Sequence, residues 1–201
     1  MILAYRLAPH DDGTHMLGGG TYRPPRSAGF HDWRFGKDGV PHPATCGTCG
    51  RKTDPNYVNP SFSPKKRWDI SATYDGYCIV SCRFRDFCLI RRWQGMTFVR
   101  LPADMGFFVL RLSSVLRFDA ERRRTRFEHK CPTCGAYYSV IGADPTFLRD
   151  VTEPIKEGFF RSDLEFGSGP TQHPLILLGI DTAEKLRRER FQNYYLREVT
   201  S

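Results

Sequence analysis

Short apolar runs separated by turn residues dominate the second half of the chain and predict β-strands. Their aromatic and branched side chains suit a pleated, half-buried surface. The clearest runs are MTFVRL at 96–101, FFVLRL at 107–112, SVLRF at 114–118, GFFRSDLEFGSG at 158–169 and HPLILLGI at 173–180. The segment VLRFDAERRRTRFEHKC at 115–131 predicts two strands around a charged tip at DAERRR.

A turn and a strand in YDGYCIVS precede the first segment with helical spacing. Ser81 can cap a helix there, Phe84 and Cys88 lie on one helical face, and Gly95 can end the helix. A strand over 77–88 is the alternative, because apolar residues also alternate in this stretch. We favour a strand followed by a helix.

A second helix is predicted in DTAEKLRRERFQNYYL at 181–196. Asp181 and Glu184 have the spacing of a capping box, and Leu186 and Tyr194 follow at helical intervals. This is the most strongly supported helix of the chain.

The N-terminal part of the chain lacks a regular pattern. Residues 8–45 are rich in Gly, Pro, His and Asp and predict surface loops with at most one short strand. We expect a single domain over residues 1–201, of the α+β class, with a mainly antiparallel sheet and a few helices.

Composition narrows the class of protein and its compartment. Hydrophobic residues make up 40% of the 201 residues and charged residues 26%, which excludes a disordered chain. The longest apolar run, LILLGI, is far shorter than the roughly 20 residues that cross a bilayer. The first residues lack the features of a signal peptide, so we expect a cytoplasmic protein without a membrane partner. Seven cysteines, an odd number, then argue against a disulfide framework.

Two CxxCG motifs carry the strongest chemical signal. Four thiolates satisfy the tetrahedral preference of zinc, and a glycine after each pair can turn the backbone around the ion. The motifs at 46–50 and 131–135 are therefore predicted zinc knuckles, here called the first and second CxxCG segments. The predicted ligands are Cys46, Cys49, Cys131 and Cys134. Because 81 residues lie between Cys49 and Cys131, the ion would staple distant parts of the fold.

Three alternatives to a closed zinc site stay open. A redox dithiol is disfavoured because CGTCGRKTDPNYVNP continues into prolines rather than into a helix. A catalytic zinc would keep a coordination position open and usually uses His or carboxylate ligands. His42 and His129 lie close to the motifs in sequence, so a histidine could replace one cysteine.

The other candidate reactive groups have simpler explanations. Cys78, Cys82 and Cys88 are expected to be small apolar residues in or beside the core. Asp163 and Glu165 could form an acid and base pair on a strand, but a surface position next to a glycine turn is the favoured interpretation. We therefore expect no enzyme activity.

The net charge of +8 suits a polyanion or an acidic protein surface. Four arginines precede the second CxxCG segment and are candidates for contact with nucleic acid or with a protein partner. They are Arg122, Arg123, Arg124 and Arg126. No aromatic platform or recognition helix accompanies them, so nucleic acid is the alternative partner.

The paired CGTCG and CPTCG, the RFEHKCPTCG stretch and the block GFFRSDLEFGSG to HPLILLG resemble bacterial double-CxxCG motif proteins and related immunity-like proteins of polymorphic toxin systems. The resemblance covers about two thirds of the chain and is specific only at the cysteines. It implies a non-enzymatic cytoplasmic protein that binds and neutralises a cognate toxin. Only Cys46, Cys49, Cys131 and Cys134 carry over, as metal ligands.

Overall fold

The computed structural model describes residues 1–18 and 43–201, which form two β-sheets and three helices. The strands are β1 Ile2–Pro9, β2 Ile70–Ala72, β3 Cys78–Ser81, β4 Met96–Arg100, β5 Phe107–Leu112, β6 Val115–Leu116, β7 Arg126–Lys130, β8 Tyr137–Ile141, β9 Phe159–Ser168, β10 His173–Leu178 and β11 Tyr194–Thr200. The helices are α1 Cys82–Ile90, α2 Ala120–Arg123 and α3 Ile180–Glu189. The predicted α+β class with a mainly antiparallel sheet is confirmed.

The two sheets differ in size and in the direction of their strand pairs. The larger sheet has the order β11-β1-β10-β9-β8-β7, and β6 also pairs with β9 as its one parallel neighbour. The smaller sheet has the order β2-β3-β5-β4 and is antiparallel throughout. Strand β1 therefore lies between two strands from the far end of the sequence, which ties the N-terminal residues to the last fifty.

The main core fills the space between the sheets and the helices α1 and α3. Tyr5 of β1 and Phe159 of β9 come from the larger sheet, and Phe108 of β5 comes from the smaller one. Phe84 of α1 is fully buried and makes edge contacts with the rings of Phe159 and Phe191. Further apolar clusters line the opposite face of each sheet.

Helix α1 follows the prediction at its start and ends earlier than predicted. The Ser81 hydroxyl accepts a hydrogen bond from the Phe84 amide at 3.2 Å, as a capping residue should. The helix ends at Ile90 rather than near Gly95, and Arg92 already has a positive φ. The strand alternative for 77–88 is wrong beyond Ser81.

The two strands predicted around DAERRR are present as β6 and β7, but they do not form a hairpin. The tip forms the short helix α2, which Asp119 caps by accepting from the Arg122 amide. The two flanking strands do not pair with each other, because β6 joins β9 and β7 joins β8. The local sequence thus gives the strands but not their partners.

The last predicted helix is also shorter than expected. Helix α3 begins after Gly179, so Asp181 lies in its first turn and the predicted capping box is wrong. Arg190 adopts a left-handed conformation that ends the helix, and the residues that follow form β11. The Tyr194 predicted on a helical face is therefore part of a strand.

The irregular segment predicted over 8–45 is described only at its ends. Residues 19–42 lie outside the described residues, and so does His42. Pro9 ends β1, and Asp11 forms a bridge to Ala72 of β2. None of the helices in residues 1–18 and 43–201 has the length and apolarity needed to cross a membrane.

Candidate metal centre

The first CxxCG segment folds as a tight turn that closes on itself. The Cys46 amide donates to the Arg51 carbonyl at 2.8 Å, and the Gly50 amide donates to the Cys46 carbonyl at 2.7 Å. Gly50 has a φ of 72°, a left-handed conformation that glycine adopts without strain. The turn brings both thiols of the segment to the same side of the backbone.

The second segment repeats the same hydrogen bonds. The Cys131 amide donates to the Ala136 carbonyl at 2.7 Å, and the Gly135 amide donates to the Cys131 carbonyl at 2.9 Å. Gly135 has a φ of 71°, almost the value of its counterpart in the first segment. The two segments are thus equivalent in backbone conformation as well as in sequence.

The two segments meet, and their four sulfur atoms form one cluster. All four Sγ atoms lie within 4.8 Å of one another, and none forms a disulfide. The Sγ atoms of Cys46 and Cys131 are 3.9 Å apart, and those of Cys49 and Cys134 are 3.5 Å apart. Zinc bound by thiolates at about 2.3 Å in tetrahedral geometry requires a sulfur separation of about 3.7 Å. The cluster is consistent with a metal site of this kind.

Three of the four cysteines are buried, and Cys134 is exposed. Cys46, Cys49 and Cys131 pack with Tyr138 of β8 in a small cluster of their own. The site therefore lies at the surface end of β8, largely closed to solvent.

Burial and backbone amides have opposite effects on the pKa values of the thiols. Burial raises the pKa of Cys131, but hydrogen bonds from the amides of Cys134 and Thr133 outweigh it and lower that pKa to about 6. Burial also acts on Cys49, and the neighbouring thiols add to it, so that its pKa is raised to about 12. The pKa values of Cys46 and Cys131 are thus lowered and those of Cys49 and Cys134 are raised, so a bound cation would favour the thiolate form most at the latter two.

Arg51 anchors the first segment to the larger sheet. Its Nη2 atom lies 2.8 Å from a carboxylate oxygen of Glu165 on β9, and its Nε donates to the Gln172 side chain at 2.9 Å. The Gln172 amide group donates in turn to the carbonyls of Tyr137 and Tyr138, both at 2.9 Å. These contacts connect the residue after the first CxxCG segment to the strand that follows the second one.

Arg51 and Gln172 were not predicted to lie near the cysteine cluster. Arg51 directly follows the first motif, which is the only local signal for its role. Gln172 is buried in a turn between β9 and β10, and its importance depends on which strands lie beside it.

Asp163 and Glu165 do not contact the same group. An Asp163 oxygen accepts from the Phe118 amide at 2.8 Å, whereas Glu165 pairs with Arg51. Each carboxylate thus has a structural partner of its own.

The remaining cysteines lie at or beside the main core, as expected. Cys88 is fully buried there, and Cys78 and Cys82 pack against it while partly buried. Burial raises the pKa of Cys78 to about 12, and burial also raises that of Cys88. Both thiols are therefore poor nucleophiles.

The candidate arginines surround helix α2 and do not form a uniform patch. Arg122 lies over the Phe147 ring at 4.0 Å, and Arg126 lies 3.7 Å from Glu128. Arg124 is exposed in a left-handed conformation at the end of the helix. Arg123 is half-buried, and its Nε has no hydrogen-bond partner among residues 1–18 and 43–201.

Among the described residues, the group with metal-ligand spacing consists of the four cysteines and does not include His129. His129 is exposed in the edge strand β7, with a positive φ. Replacement of a cysteine by this histidine is thus not what the geometry favours.

Comparisons of the chain with protein-family models, curated proteins and solved structures gave no significant match.

Proposed function

We propose that Cys46, Cys49, Cys131 and Cys134 hold one zinc ion in a structural site. The close approach of four thiols without a disulfide supports this assignment, since soft thiolate ligands select zinc over calcium or magnesium. Four protein ligands fill the tetrahedral shell and leave no position for a substrate. The ion would supply folding energy by joining two segments that are far apart in sequence.

We further propose that the protein is a cytoplasmic immunity protein that binds and neutralises a bacterial toxin. The observation that carries this proposal is the four-cysteine cluster, which as a closed zinc site would hold a scaffold together without an open coordination position. The engagement of Asp163 by a backbone amide and of Glu165 by Arg51 agrees with a binding role. The net charge of +8 suits an acidic toxin surface, because opposite fields speed association.

Co-expression tests the immunity proposal. A candidate toxin, chosen from the genes beside this one, is expressed with and without the protein, and cell survival is measured. We expect survival only with the protein, and recovery of a one-to-one complex from the cells. Death of the cells in both cases, with no complex, would contradict the proposal.

Nucleic-acid binding is the second candidate function. Exposed Arg122, Arg124 and Arg126 near the second CxxCG segment favour it, since arginines beside a metal site can bind phosphates. A salt titration of binding to DNA and to RNA should then give a steep negative slope of log affinity on log salt. Absence of binding at low salt would exclude this function.

A further inference from the structure

A cleft of about 740 Å³ lies where the smaller sheet and the loop after the first CxxCG segment meet the larger sheet. Strands β1 and β10 line one side, and the end of β5 and the turn before β3 line the other. The volume falls in the range of about 300 to 1,000 Å³ that is typical of small-molecule sites. None of the four cysteines of the candidate metal centre lines this cleft.

The charged groups that line the cleft leave an excess of positive charge. Two of them are already paired, because Arg6 binds Asp144 and Glu165 binds Arg51. Three cations have no ion-pair partner within residues 1–18 and 43–201, and Asp11 is the remaining carboxylate in the lining. These cations are Lys52, Arg111 and Arg161. Cations that are concentrated in a concave site attract anions, since low-dielectric walls focus the field.

Two polar atoms of the lining residues are buried without a partner. The terminal nitrogens of Arg111 donate to the Asn56 side chain at 2.8 Å and to its carbonyl at 2.6 Å. The Nε of Arg111 and the hydroxyl of Tyr77 have no hydrogen-bond partner in the described part of the chain. Tyr77 is only 6% exposed. Buried polar groups nearly always have a partner, so these two exceptions mark a part of the cleft wall whose hydrogen bonding is incomplete.

These exceptions lie at the same end of the β3–β5 pair. Ile79 of β3 and Val109 of β5 are register partners, and continuing that register by two residues places Tyr77, which directly precedes β3, opposite Arg111 of β5. Residues directly opposite each other in an antiparallel pair share a face. Burial and the Asp75 carboxylate raise the pKa of Tyr77, and the Arg111 guanidinium opposes them, which agrees with this placement.

We propose that the cleft binds a small organic anion whose carboxylate or phosphate group is held by Arg111 and Lys52. Lys52 reaches the cleft from the loop after the first CxxCG segment, where its ammonium donates to the Asp75 carbonyl and lies 4.9 Å from the centre of the Tyr77 ring. An apolar body of the ligand would lie against Leu112, Pro174 and Ile176, which are partly exposed in the lining.

Calorimetric titration of the full-length, zinc-loaded protein tests this proposal with three probes. Benzoate and phenyl phosphate carry the two anionic groups, and benzyl alcohol is a neutral molecule of similar shape. We expect at least one anion to bind about tenfold more tightly than benzyl alcohol, as a charge-assisted hydrogen bond implies. The better anion identifies the charged group of the ligand. Equal binding of all three probes would overturn the proposal.

Two variants locate the bound anion. Arg111→Gln and Lys52→Met should each weaken binding of the better anion by about tenfold. Arg188→Gln, which removes the same charge from an exposed position on α3, should change it less than about twofold. Circular dichroism shows which variants are folded, and Lys52→Met decides the matter if Arg111→Gln does not fold. Unchanged binding in a folded cleft variant, or an equal loss in Arg188→Gln, would refute the assignment.

Discussion

Thr48 and Thr133 face each other across the metal centre, with their hydroxyl oxygens 2.7 Å apart. Each threonine directly precedes the second cysteine of its CxxCG segment. Thr48 and Thr133 are 85 positions apart in the sequence. Cys46 and Cys131, whose Sγ atoms are also in contact, are separated by the same 85 positions. The Sγ atoms of Cys49 and Cys134 also lie 3.5 Å apart, so the two segments meet as equivalent halves at these three positions.

Loss of one cysteine from this arrangement should remove the metal. We expect Cys131→Ser to abolish zinc binding and to lower the free energy of unfolding by more than about 4 kcal/mol, because the ion would join two cysteine pairs with 81 residues between Cys49 and Cys131. Elemental analysis and urea denaturation measure the two effects.

The matched control is Cys78→Ala, which removes a thiol from the edge of the main core. Zinc content should stay at one ion per chain, and the free energy of unfolding should fall only by the amount expected of a packing defect. A strong chelator added to the wild-type protein should reproduce the loss seen in Cys131→Ser. Full stability without metal would contradict a structural role for the ion.

The glycine after each cysteine pair gives a second prediction. Gly135 has a positive φ, and a Cβ built on it meets no atom within 4 Å, so a substitution there adds backbone strain without a clash. We expect Gly135→Ala to lower the free energy of unfolding by about 1 kcal/mol. Gly135→Asn should lower it less, because Asn tolerates the left-handed region.

Gly47→Ala is the control, since this glycine of the first segment does not have a positive φ. Urea denaturation of the three variants in excess zinc compares them directly. Equal stabilities of Gly135→Ala and Gly47→Ala would show that the turn conformation does not matter.

The sequence predicts those parts of the fold whose signals are local. The start of α1 could be predicted because Ser81 and Phe84 are three residues apart and form the cap themselves. The four cysteines could be predicted as one site because zinc chemistry specifies their number. In both cases the information lies within short segments.

Strand partners and the outer parts of the site depend on contacts between distant residues. Strand β1 has a nearly continuous buried pattern rather than an alternating one, because it is covered on both faces, and no strand was predicted there. The left-handed Arg190 that ends α3 has no sequence signal that distinguishes it from the helical residues before it. Arg51 likewise became part of the site only through Glu165 and Gln172, which lie more than 110 residues away.

The cap of α1 provides a third prediction. The Ser81 hydroxyl accepts from the Phe84 amide and donates to Asp69 at 3.0 Å. Ser81→Ala should lower the free energy of unfolding by about 1 to 2 kcal/mol, while Ser63→Ala at an exposed position should have little effect. Chemical denaturation measures both. A cost at Ser81 no larger than that at Ser63 would contradict the capping role.

Lys52 gives a prediction about pH. Its ammonium group is largely buried, and burial lowers its pKa to about 8, although Asp75 and Glu165 partly oppose the shift. The unfolded chain keeps the ordinary value of about 10.5. Between these two values the unfolded state binds more protons than the native state, so Lys52 makes stability rise with pH. Below pH 8 the lysine is charged in both states and contributes no pH dependence.

The contribution of Lys52 to the pH dependence is measured by comparing the free energy of unfolding of the wild type with that of Lys52→Met. Titration of the cysteines affects both proteins equally and cancels in this comparison. Between pH 7 and pH 9.5 the free energy of unfolding of the wild type should rise by about 2 kcal/mol relative to the variant. Urea denaturation in excess zinc at both pH values measures this difference. At pH 7 the variant should be at least as stable as the wild type, because methionine needs no hydration in the same space. A difference that is constant with pH would show that the Lys52 ammonium is fully hydrated in the folded protein.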